Sequence, residues 1–262
     1  MHSLIEHARA FPARADADGW HLAPLAAGQS PQVLFISCSD SRVIPSLICR
    51  ALPGELFELR TAGNIVPAYS LDRPSGEAAT IEFAVQVLRV NDIVVCGHSH
   101  CGAVGALVRG DDLTTVPALA RWLADTTAEH DTAEHTSTEH DTTEHRTTER
   151  TTPEHGTGGP DTGRHAPGTP QQTAHQATHQ ATHTTADDTS DDTSDDTSDD
   201  DETALTAAVQ RHVLAQLDRL RGYPAVRTRL ADGTLTLHGW YYQVHTGTVY
   251  AHRPCDGTFT PL

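Results

Sequence analysis

Cys38, Asp40, Arg42, His98 and Cys101 carry the chemistry this sequence can do. They fall in two short runs, Cys38-Ser39-Asp40-Ser41-Arg42 and His98-Ser99-His100-Cys101-Gly102. Two thiolates, an imidazole and a carboxylate suit a tetrahedral zinc ion. Cys38, His98 and Cys101 make three fixed ligands. The fourth place goes to water, which leaves a catalytic site, or to Asp40, which closes it.

The flanking residues say how these side chains meet. Each run follows an uncharged, β-branched stretch: Val33-Leu34-Phe35-Ile36 before the first, Ile93-Val94-Val95-Cys96-Gly97 before the second. Such stretches read as strands covered on both faces, hence as parallel strands. Ligands of open α/β sheets gather at the carboxyl ends of such strands. Residues 56–60 read as a further strand, Gly63-Asn64 as a tight turn, and residues 235–244 as a last strand at a sheet edge. Helices are expected over residues 3–11, 43–49, 102–108 and 116–124. Another opens at Ser75-Gly76-Glu77 and runs to Val90, with Ala79, Phe83, Val87 and Val90 on its apolar face. The fold class is α/β: a mainly parallel central sheet flanked by helices, with right-handed crossovers. Cys101 is expected to open a helix, where backbone N–H groups favour a thiolate.

The pattern stops between residues 126 and 202. Those 77 residues contain no Val, Ile, Leu, Met, Phe, Trp, Tyr or Cys, and they hold −16 of the chain's net charge of −17. His130, His135, His140, His145 and His155 recur at multiples of five; His175, His179 and His183 recur at four. Such a segment cannot offset its ordering entropy and is expected to be a disordered insert. The expected organisation is therefore a core in two parts, residues 1–125 and 203–262, interrupted by residues 126–202. The second part begins with an amphipathic helix bearing Val209, Val213, Leu217 and Leu220 on one stripe.

Taken together, Cys-Ser-Asp-Ser-Arg at 38–42, Gly-Asn at 63–64 and His-Ser-His-Cys-Gly-Ala at 98–103 resemble the β-class carbonic anhydrases. The likeness extends through Ala-Gly-Gln-Ser-Pro at 27–31, Pro-Gly-Glu-Leu-Phe at 53–57 and Leu-His-Gly-Trp at 237–240. It implies a zinc enzyme in which activated water attacks carbon dioxide and bicarbonate leaves. It implies that Arg42 holds Asp40 off the metal in the active form, so that Asp40 orients the nucleophile. It places Gln29 as a donor to the substrate oxygen, Phe57 and Ala62 along a small apolar pocket, and Gly102 beside the substrate. Phe83 stands where plant-type members carry a tyrosine contributed across the dimer. Thr61 replaces a usual Asn, and Phe35 stands in the place of a tryptophan found in members with an inhibitory bicarbonate site. The resemblance therefore points to the constitutively open type, working as a homodimer or homotetramer.

No basic patch suggests nucleic acid and no apolar run is long enough to span a membrane. Residues 1–15 show no signal-peptide core. Five cysteines in a chain this long do not form a disulfide framework, which points to a reducing, cytoplasmic compartment. Cys49, Cys96 and Cys255 read as packing residues, and His238, His245 and His252 as polar strand positions. His100 faces solvent or supports the ligands, with a proton-relay role as the alternative. Two other functions share these features: hydrolysis of carbonyl sulfide or carbon disulfide on the same scaffold, and metal buffering through the nine insert histidines.

Overall fold

Six strands form one sheet: β1 (Val33–Cys38), β2 (Leu56–Thr61), β3 (Asp92–His98), β4 (Thr236–Gln243), β5 (Thr248–Arg253) and β6 (Thr258–Pro261). Their spatial order is β2-β1-β3-β4-β5-β6. The computed structural model describes residues 1–127 and 199–262. The expected disorder of the insert concerns residues that lie, apart from its two ends, outside those described. Seven helices are described: α1 (His2–Ala17), α2 (Pro45–Ile48), α3 (Gly76–Glu82), α4 (Gly102–Arg109), α5 (Pro117–Thr127), α6 (Asp199–Arg221) and α7 (Pro224–Ala231). No helix among the described residues is long and apolar enough to cross a membrane.

The first four strands in spatial order pair in parallel, Cys38 opposite Thr61 and His98 opposite Tyr242. Both ligand runs thus leave the sheet at the same end, from adjacent strands. Strands β4, β5 and β6 then turn antiparallel. The residues before and after the insert build one continuous sheet, because β4 pairs with β3 along its whole length.

The main core lies on one sheet face. Leu34, Ile36, Ile93 and Val95 pack there against Ile81 and Val85, and against Val213, Leu217 and Leu220 of α6. Gly97 allows that close approach. A methyl group at this position would lie 2.7 Å from both Val209 Cγ1 and Val213 Cγ2. Overpacking of that kind costs roughly 1–3 kcal/mol. Helix α3 is capped by the Ser75 hydroxyl, which accepts from the Ala78 N–H at 3.1 Å. Helix α4 ends at Gly110 in the left-handed region, φ 65°.

Four expectations change. The strand at 235–244 is not an edge: β4 lies between β3 and β5, and its mixed pattern comes from half-buried residues on both faces. Strands β5 and β6 and helix α7 went unrecognised. Helix α3 gives way to a π-helical turn over Phe83–Leu88, ending at Arg89 with φ 56°. Its buried face carries Ala78, Ile81, Ala84 and Val85, whereas Ala79, Phe83 and Val87 are exposed. Of the expected face, only Val90 is buried. Finally, α1 is longer than expected and α6 starts at Asp199, which puts Glu202 in its first turn.

Candidate metal centre

Cys38 closes β1, His98 closes β3 and Cys101 caps the N-terminus of α4. The three side chains are buried, and their ligand atoms all lie within 4.8 Å of one another. Each is tuned by its surroundings. Nδ1 of His98 donates to the Ser99 carbonyl at 2.9 Å, which leaves Nε2 as the free lone pair. That Nε2 is buried and has no hydrogen-bond partner among the described residues. A buried acceptor with no partner is costly unless something else fills the place.

The two sulfurs make the same case. A hydrogen bond with Cys101 pulls the Cys38 thiol below its ordinary value against the opposing effect of burial. His98 and the backbone N–H groups of Asp40 and Gly63 help. Gly63 donates to Cys38 Sγ at 3.4 Å. Cys101 is pushed up by the neighbouring Cys38 sulfur and by burial. Two buried thiolates at this range repel unless a cation lies between them. The donor set, the free Nε2 and the enclosed pair of sulfurs therefore fit a zinc ion.

Asp40 faces this group without joining it. Its Oδ2 lies 3.9 Å from His98 Nε2. Arg42 takes both carboxylate oxygens, Nε to Oδ1 at 3.0 Å and Nη2 to Oδ2 at 2.7 Å, and the Arg42 N–H adds a bond to Oδ1 at 2.9 Å. Arg42 also donates to the His100 carbonyl at 3.1 Å, tying the two ligand loops together. The Arg42 guanidinium holds the Asp40 carboxyl well below the usual carboxylate range.

The expected substrate residues are dispersed in the single chain. Ala62 lines a cleft of about 350 Å³ with Ser39, Thr61, Leu119 and Trp122. Gly102 is the first residue of α4, immediately after Cys101. Phe57 packs instead on Phe83, ring centroids 5.9 Å apart, and Gln29 is exposed in the loop before β1. Thr61 is buried and donates to the Ile65 carbonyl. Cys96 is buried as expected, but Cys49 and Cys255 are exposed rather than packed. His238 and His252 do lie on strands, while His245 sits in the turn between β4 and β5.

Two positioning residues escaped the sequence. Arg60 donates to the carbonyls of Cys38, Asp40 and Val43, at 2.6–3.2 Å, and so fixes the first ligand loop. His212 donates from Nε2 to the Gly63 carbonyl at 2.8 Å, bracing the residue whose N–H reaches Cys38. Burial holds its pKa below the ordinary value, which favours the neutral ring. The available signal was a histidine three residues from Val209, inside the apolar stripe of α6.

The comparisons agree with this geometry. Residues 33–155 and 163–249 match the family described as carbonic anhydrase. A carbonic anhydrase of Pseudomonas aeruginosa is 36% identical over 253 residues, covering 97% of this chain and 86% of its own. Carbonic anhydrase 1 of Escherichia coli O157:H7 is 33% identical over 240 residues, covering 91% and 81%. The solved structure of the β-carbonic anhydrase CcaA matches with a TM-score of 0.69 and 30% identity, over 100% of this chain and 99% of that one. Tetrameric β-carbonic anhydrases from Sordaria macrospora share the fold, with a TM-score of 0.61 at 23% identity over 95% of this chain and 94% of theirs. With its paired ligand runs at the ends of adjacent parallel strands, the chain belongs to the β-class carbonic anhydrases, the zinc enzymes that hydrate carbon dioxide to bicarbonate and a proton.

Proposed function

We propose that Cys38, His98 and Cys101 hold the zinc ion and that Asp40, positioned by Arg42, is the catalytic carboxylate of carbon dioxide hydration. The observation that carries this reading is the two-pronged grip of Arg42 on Asp40 beside the free Nε2 of His98. When bound, zinc supplies a Lewis acid that makes water easier to deprotonate. Asp40 accepts a hydrogen bond from the attacking water and orients its lone pair toward the substrate carbon. While Arg42 occupies both oxygens, Asp40 does not act as a fourth ligand. Gly102 opens α4, where unpaired N–H groups favour the negative charge that develops on bicarbonate. Ala62 contributes apolar wall. Gln29, Phe57 and Phe83 are assigned to substrate contact in the assembled enzyme, because a single chain leaves Gln29 and Phe83 at its surface.

Asp40→Asn tests this directly. It should keep its zinc and lose roughly a hundredfold or more in hydration rate by stopped-flow, the scale of a lost proton-handling group. Because Arg42 depresses the Asp40 pKa, the carboxylate is ionised throughout mildly acidic and alkaline pH. Its pairing with Arg42 contributes stability above the unfolded value of about 3.9 and loses it only as pH falls through the lower folded value. Asp40 therefore does not set an alkaline limb. The rate should rise through mildly alkaline pH in the parent and, at reduced amplitude, in the variant. A variant with parental rates would remove Asp40 from the mechanism.

The active form is a homo-oligomer, a dimer or a pair of dimers. Of α1, only Ala15 is buried, while Leu4, Ile5 and Phe11 are exposed, as are Phe83 and Val87. These apolar surfaces belong to a contact between copies. Sedimentation of fully active enzyme as a monomer would refute it. Residues 1–125 and 203–262 form the catalytic core, since the sheet runs unbroken across the insert. All five cysteines are free among the described residues, which supports a reducing, cytoplasmic compartment. Recovery in an oxidising compartment by fractionation would contradict that placement.

A further inference from the structure

We propose that His100, Glu202 and His245 form a second, solvent-exposed site for a divalent transition-metal ion of the zinc or nickel class. The three side chains come from distant parts of the chain: the loop between β3 and α4, the first turn of α6, and the turn between β4 and β5. Their ligand atoms all lie within 4.8 Å of one another. His100 Nε2 is 3.8 Å from Glu202 Oε1, and the His100 and His245 rings are 6.0 Å apart between centroids. Two ligands of a tetrahedral ion at about 2.0–2.1 Å stand about 3.3 Å apart, so small rotations of exposed side chains complete the geometry.

Convergence of this kind is not a loop accident, because each element is pinned close to its ligand. The Ser99 N–H donates to the Tyr242 carbonyl at 2.9 Å, and the Val244 N–H donates to the Ser99 hydroxyl at 2.9 Å. These two bonds lock the backbone before His100 to the backbone before His245. His100 takes φ 54°, a conformation that a non-glycine residue holds only where its surroundings fix it. Arg42 supplies part of that fixation through the His100 carbonyl. On α6, Thr206 lies four residues beyond Glu202 and so on the same helix face. Its hydroxyl meets the Tyr241 hydroxyl at 3.0 Å, which turns that face toward the end of β4. Among the described residues, none of the three side chains makes a hydrogen bond that would compete with a metal. Two imidazoles and one carboxylate suit zinc, nickel, cobalt or copper better than calcium or magnesium. The open positions go to water, and exposure makes the ion exchangeable.

The test uses the full chain carrying one tightly held zinc, titrated with nickel(II) by isothermal calorimetry. The insert histidines contribute equally in parent and variants, so the difference between them is the readout. The parent should bind one more nickel ion than His245→Ala. Glu202→Gln should weaken that event about tenfold or more, and Glu202→His should bring it back to at least the parental affinity. All three substitutions are at exposed positions, and retained core zinc confirms that each variant is folded. Equal nickel stoichiometry and heat in the parent, His245→Ala and Glu202→Gln would overturn the proposal, as would failure of Glu202→His to recover the event.

Discussion

Two groups of metal-type ligands share the loop from His98 to Cys101, yet they are built in opposite ways. In the first, His98 is fully buried, its Nδ1 is committed to a carbonyl, and the sulfur of Cys38 receives a backbone N–H. In the second, the His100 and Glu202 side chains are about half exposed and make no hydrogen bonds among the described residues. The ligand types overlap; the surroundings do not. Enclosure ties the first group to folding, because a buried Nε2 without a partner and two buried sulfurs favour a cation among them. The second group stands complete without one. Binding energy in the first is folding energy, while in the second it is only binding energy.

The sharpest way to break this contrast is Cys101→Ser. Loss of one enclosed thiolate should remove nearly all the zinc and hydration activity, and lower the melting temperature, as read by metal analysis and thermal denaturation. The same substitution should leave the nickel event at His245 in place wherever the chain remains folded. A Cys101→Ser protein with full zinc occupancy would show that enclosure does not couple this group to the metal.

A smaller effect separates the groups by their supports. His212→Ala removes the donor to the Gly63 carbonyl and loosens the N–H aimed at Cys38. An unpaired buried carbonyl costs about 1–3 kcal/mol. Stability should fall by about that amount and kcat by a few-fold, with zinc retained and nickel binding at the exposed group unchanged. Parental stability and kcat would mean that Gly63 needs no brace.

The difference between the groups also explains what the sequence made legible. Cys38, Asp40, Arg42, His98 and Cys101 could be read because each lies within a few residues of a recognisable strand. Arg60 and His212 act through backbone carbonyls, and His212 reaches Gly63 from 149 residues away. Carbonyl acceptors leave no trace in side-chain patterns. By composition Glu202 belongs to the acidic repeat, because that composition continues past Asp199, where the helix begins. Strands β5 and β6 were missed because their residues are half-buried, with no clean alternation between the two faces. The face of Ala79, Phe83 and Val87 has core-like apolar spacing, yet the face this helix buries in the chain is the one carrying Ala78, Ile81, Ala84 and Val85.

The smallest expected effect concerns the insert. Residues 128–198 join α5 to α6, and both helices pack on the core through their own apolar residues, Leu123 from α5 and Val209 from α6 among them. The candidate ligands Cys38, His98 and Cys101 all lie before the insert, and the residues that brace them, at 60, 63 and 212, lie outside it. Shortening a loop changes closure entropy by only about 0.6 kcal/mol per halving. Replacing residues 128–198 with a short Gly/Ser linker should therefore leave zinc content unchanged and hydration within a few-fold of the parent. Glu202 is retained in that form, so one nickel event dependent on His245 should persist after the weaker sites of the repeat histidines are gone. A collapse of hydration activity would show that the enclosed site depends on the insert, whereas loss of the nickel event alone would place its ligands in the repeats rather than on the core.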